Sequence, residues 1–141
     1  MKKLLMLSSG TLTVLFIVLH LLFPSSFNWK SDLQHIAPIN QGILWIYHTL
    51  IIYLFGAWAV LNFLLAGKAV YTVVERVFLL SMAGFYFVRI AFGPVFFEVT
   101  PEEILGWLMC LVLALCYIGA VALDVRIENN RVSKGLPFNI K

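Results

Sequence analysis

Charge is what this chain has least of. Asp, Glu, Lys and Arg together make up 12% of its 141 residues, about half of the roughly 25% usual in a soluble domain. With so few charges, the net balance of +3 is too small and too scattered for a nucleic-acid surface, because the cations sit at the ends of apolar stretches and not along one face. Cysteine is scarce as well. Cys110 and Cys116 lie in one apolar stretch at a spacing that points them to different faces of a helix, so they make neither a CxxC redox pair nor a zinc cluster. They are expected to be buried, reduced thiols. The chain has no phosphate-binding glycine loop, no HExxH, no nucleophile elbow and no EF-hand loop, and it carries no internal repeat or low-complexity tract.

Apolar residues are abundant at 62%, and a chain of this size cannot hide that much apolar surface in one core. The expected fold class is therefore an all-α integral membrane protein. It reads as a four-transmembrane-helix antiparallel bundle with a short interfacial helix in the first outer loop. One domain covers 1–141, with helices at about 4–23, 43–65, 70–97 and 101–123 and a polar, exposed tail at 124–141.

The first span follows Lys2 and Lys3. Its apolar run of about 20 residues exceeds the 7 to 15 of a signal peptide, and no A-x-A-like cleavage site follows, so it is expected to be retained. Ser9, Thr13, Phe16 and His20 form one stripe, which is expected to face inward, and Pro24 is expected to end the helix. In the following loop, Ser31 and Gln34 read as the capping box of a short helix that stops before Pro38, with Trp29 at headgroup level. The second span holds His48 and Asn62, fourteen residues apart and so on one face. Thr100, Pro101 and Glu103 set the start of the fourth span, where Glu102 and Glu103 favour the helix dipole. Gly106, Cys110 and Ala114 form a small-residue stripe that admits a neighbouring helix, either of a homo-oligomer or of another membrane protein.

The third span contains Arg89, whose Cα would lie roughly 12 Å below the nearer edge of a hydrocarbon core about 30 Å thick. An unpaired cation there costs from about 3 to more than 10 kcal/mol, so such arginines face a protein interior or a wet cavity. Glu75 shares the face of Arg89 but lies about 21 Å away along the axis, so each needs its own partner. Pro94 frees the Ile90 carbonyl as an acceptor for Arg89. His20 and His48 sit at similar depth on their own helices, so Arg89, His20 and His48 are the candidate ligand-binding residues of one outer-leaflet pocket. The bland alternative has both histidines bonded to nearby backbone. His35, in the loop, is expected to be exposed, and no metal site is expected.

Three functional readings follow. The first is an accessory or scaffold protein that binds lipid or another amphiphile, in which Arg89 offers its planar fork to an anionic group and binding is expected over catalysis, an enzyme acting on a lipid headgroup being disfavoured by the missing nucleophile and metal motifs. The second is a haem b subunit with His20 and His48 as axial ligands, and the third is a proton-handling subunit of a redox or transport complex using Glu75, Asn62, Arg89 and the histidines. Eight Lys and Arg fall on the side of the termini (Lys2, Lys3, Lys68, Arg76, Arg126, Arg131, Lys134, Lys141) and only Lys30 on the other, which places both termini in the cytoplasm. The short lengths and the Met-Lys-Lys start suggest a bacterial inner membrane protein.

Overall fold

The computed structural model describes residues 1–96 and 98–134. The expected end of the third span at Phe97 and the far part of the expected tail, 135–141, lie outside them. The secondary structure of the described residues is all helical, with no strand: α1 is Lys2–Ser26, α2 is Trp29–Asp32 followed by a 3-10 turn at Leu33–His35, α3 is Pro38–Ala66, α4 is Val73–Phe96 and α5 is Pro101–Ser133. The four long helices are each long and apolar enough to cross a membrane, which makes this a multi-pass membrane protein.

Caps and prolines account for several helix ends that differ from expectation. Proline at the first position of α3 has no N–H to lose there, so the helix starts at Pro38 and not at 43. α4 starts at Val73 and not at 70, because Thr72 and Glu75 close a reciprocal capping box. Glu75 N–H donates to Thr72 Oγ1 at 3.3 Å, and Thr72 N–H donates to Glu75 Oε2 at 2.8 Å. Pro24 does not end α1, which runs two residues further to Ser26 with the proline inside its last turn. The short loop helix begins after Asn28, which sits in the left-handed region at φ 48°, and no side-chain cap holds it; Ser31 lies within it and not at its start. α5 continues ten residues past 123, to Ser133, and Asp124, expected at the head of an exposed tail, is fully buried.

The helices pack in a definite order. α1 lies directly against α3 and α5, and α4 lies against α5. Gly10 of α1 makes room for the Phe63 ring of α3, since a Cβ there would come 2.8 Å from Phe63 Cε1. α3 and α4 meet through long aromatic side chains, with Trp58 edge-on to Phe85 at 5.0 Å and Phe55 parallel to Tyr86 at 6.5 Å. The core holds Met6, Leu79, Leu113, Ala114 and Tyr117 with little or no exposure. The inward stripe of α1 is as expected, with Ser9, Thr13 and Phe16 buried. The outward faces carry exposed Leu21, Ile46, Tyr53, Val74, Phe92 and Leu108. Apolar groups outside and hydroxyls inside is the arrangement that suits lipid as the solvent.

Cys110 and Ala114 are both buried within the chain. At those two positions of the small-residue stripe the side chains serve the packing of the chain's own helices. Gly106, the third of that stripe, has nothing within 4 Å of where its Cβ would be.

Candidate functional site

Arg89 resolves its depth by reaching along the helix. Its Cα lies about 10 Å from the Phe96 end of α4, whereas Glu103 lies only about 3 Å inside the start of α5, so the extended arginine carries its guanidinium towards the interface. There Arg89 Nη2 donates to Glu103 Oε2 at 2.8 Å. Glu103 is fixed in turn because its backbone N–H donates to the N-cap Thr100 Oγ1 at 3.3 Å. The expectation that Glu103 serves only the helix end therefore needs correction: its backbone serves the cap while its carboxylate serves Arg89. Gly93 makes this possible. A Cβ there would lie 2.7 Å from Arg89 Nη1 and 2.4 Å from Trp107 Nε1, so only glycine leaves room for both groups against α4.

Beside this pair runs a groove of about 260 Å³ lined by Phe85, Val88, Arg89, Phe92, Gly93 and Phe96. Its apolar walls lie on the outward face, and Arg89 and Glu103 are 35% and 21% exposed at their side chains. The groove thus offers an apolar trough with an overall neutral pair of opposite charges at one side.

His20 and His48 are brought together, with ring centroids 6.3 Å apart and planes 22° from parallel. His20 Nδ1 donates to the Phe16 carbonyl at 2.8 Å. Phe23 and Phe55 flank His20 at 4.6 and 5.1 Å, and Trp29 stands edge-on to His48 at 5.0 Å. The carboxylate to which Arg89 is hydrogen-bonded belongs to α5 and not to either histidine helix. His35 is exposed. Among the described residues no three His, Cys, Asp or Glu side chains group as metal ligands do.

The opposite end of the molecule carries a second ionic group. Asp124, 0% exposed, receives Lys2 Nζ at 2.6 Å, the Tyr71 N–H at 3.0 and 3.1 Å to its two oxygens, and Arg76 Nε at 2.9 Å. Arg76 also bonds Glu128, and Lys2 donates to the Ala69 carbonyl at 2.8 Å. The Lys2 ammonium lies 3.9 Å from the centre of the Tyr71 ring, a cation–π contact. Burial, with the carboxylates of Asp124 and Glu75 adding to it, pushes the Tyr71 phenol up to about 12, so the ring stays neutral beneath the cation. Two cations and two carboxylates cancel, and the cluster ties the start of α1, the α3–α4 turn, the start of α4 and the last third of α5 together. Glu75 is held separately by Lys68 and Thr72.

Between the two ends lies a polar layer. Asn62 Nδ2 donates to the Tyr117 hydroxyl at 2.8 Å, and the Tyr86 and Tyr117 rings stack 6.2 Å apart beside Thr13. Reading the sequence found Asn62 and Thr13 but passed over Tyr86, Tyr117 and the whole Asp124 cluster. The signal was present on α5, where Glu103, Cys110, Tyr117 and Asp124 recur every seven residues and so share a face. Comparison with protein-family models, curated proteins and solved structures gives no match, so the site's geometry alone carries the functional reading.

Proposed function

We propose that the chain is an antiparallel four-helix bundle of the plasma membrane, with both termini cytoplasmic, that binds a membrane amphiphile and performs no catalysis. In this reading the Lys2 and Asp124 end is the cytoplasmic anchor, in keeping with the Lys and Arg asymmetry. The loop helix Trp29–Asp32 rests at the outer interface. The observation that carries the reading is the outward-facing groove beside Arg89. A charged side chain within a span tends to be hidden towards other helices, yet Arg89 keeps a third of its side chain exposed at an apolar trough. That combination suits a molecule with an acyl chain and a polar head.

The test replaces both charges at once, Arg89→Leu with Glu103→Gln, so that neither is stranded. The double variant is expected to melt no lower than the wild type and to lose the lipid that co-purifies in mild detergent, measured by mass spectrometry. Unchanged lipid occupancy would overturn the reading and leave a scaffold role.

Haem b between His20 and His48 is the alternative, favoured by the closeness of the two rings and by the Phe16 bond, which leaves His20 Nε2 as the coordinating atom. Against it weigh the direct packing of α1 on α3 and the aromatic rings of Phe23, Phe55 and Trp29 that surround the two imidazoles. Reduced, purified protein is therefore expected to show no Soret band, and a band that each His→Ala change diminished would reinstate the haem reading.

A further inference from the structure

We infer that the groove selects a phospholipid whose headgroup carries both a phosphate and a primary ammonium, with Arg89 taking the phosphate and Glu103 the ammonium; this rests on the amphiphile-binding reading above. The argument starts from the free protein. Arg89 and Glu103 neutralise each other at 2.8 Å, so no uncompensated charge faces the bilayer while the groove is empty. Any head that engages one member of the pair must deal with the other.

A purely anionic head draws the guanidinium away from Glu103 and leaves a carboxylate that is only 21% exposed facing that anion with its cation gone. Like charges brought together in a poorly solvated place are costly, and losing one partner of a part-buried pair costs more than the pair itself contributes. An uncharged head offers nothing that the pair does not already have. A zwitterionic head replaces one ion pair with two, so every charge keeps a partner. Arg89 presents a planar fork suited to phosphate oxygens, and Glu103 has two oxygens to accept N–H bonds from a primary ammonium.

The placement of the two side chains fits this exchange. Glu103 sits in the first turn of α5, where the helix dipole supports its negative charge when the arginine turns to a phosphate. Phe85, Val88, Phe92 and Phe96 line the trough for an acyl chain on the same side as Arg89. Gly93 leaves room for the guanidinium beside the trough, where a Cβ would lie 2.7 Å from Arg89 Nη1.

The experiment uses the full chain in mild detergent with an equimolar mixture of phosphatidylethanolamine and phosphatidylglycerol of identical acyl chains, read by native mass spectrometry. The wild type is expected to retain the ethanolamine lipid at least about fivefold over the glycerol lipid. Glu103→Gln is expected to bring that ratio to unity or reverse it, since the carboxylate that repels an anionic head is gone. A wild-type ratio at or below unity overturns the headgroup inference while leaving amphiphile binding in place. A wild-type preference that Glu103→Gln does not change also overturns it, because the ammonium is then held elsewhere. Retention of neither lipid above the level of the Arg89→Leu, Glu103→Gln double variant overturns both this inference and the reading beneath it.

Discussion

Removing the carboxylate of Asp124 is the sharpest perturbation of the fold that the structure offers. In Asp124→Ala the Tyr71 N–H loses its acceptor, Lys2 loses its counter-charge, and Arg76 keeps only Glu128. Breaking a buried ion pair by deleting one partner costs about 3–5 kcal/mol, and each hydrogen bond to a charged group contributes about 1.5–3 kcal/mol. Two features hold the total to the lower end: Lys2 retains the Ala69 carbonyl, and Arg76 retains a carboxylate. The expected loss is about 3 kcal/mol, which for a chain of this length lowers the melting temperature by roughly 10 °C. The assay is a thermal melt in mild detergent, backed by a double-mutant cycle with Lys2→Ala. The cycle should return a coupling of about 1–3 kcal/mol, because with Lys2 also gone the deletion strands one charge fewer. A melting temperature for Asp124→Ala within about 2 °C of the wild type would refute the view that this cluster fastens the helix ends.

Three further outcomes are expected. Gly93→Ala forces a methyl to within 2.4 Å of the Trp107 indole nitrogen, so it should destabilise by about 1–3 kcal/mol and reduce lipid retention as Arg89 is displaced; a melt and lipid content both like wild type would contradict the packing described. Thr100→Ala removes the side chain that accepts the Glu103 N–H and should cost about 1 kcal/mol in the same melt. Single cysteines at Ser25 or Glu98 should be labelled by an impermeant reagent from outside intact spheroplasts, while one at Ser133 should not; the reverse pattern would invert the orientation.

How much was legible from sequence depends on the range of the forces involved. The four spans were legible because apolar runs of about 20 residues encode membrane crossing locally, and the inward stripe of Ser9, Thr13 and Phe16 because helical periodicity is local too. Helix ends were less so. Pro24 and the expected start at 43 looked like boundaries, but the first sits in a last turn and the second inside α3, where Pro38 had already started the helix. The T-x-x-E signature at Thr72 and Glu75 was there to be read. The ionic group at Asp124 joins residues 122 and 48 positions apart in the chain, and no local pattern states such a pairing. Arg89 posed the right question, and its partner was a glutamate whose capping position had seemed explanation enough.

The measurement that bears most directly on the central claim is photo-crosslinking with a phospholipid that carries a diazirine in its acyl chain, followed by peptide mapping. If the groove on α4 is a binding site, crosslinks should concentrate on Phe85, Val88, Phe92 and Phe96, and excess unlabelled ethanolamine lipid should suppress them. Crosslinks spread evenly over every lipid-facing helix, with the exposed Ile46, Tyr53 and Val60 of α3 marked as strongly and no position competed, would show annular lipid only and contradict the account.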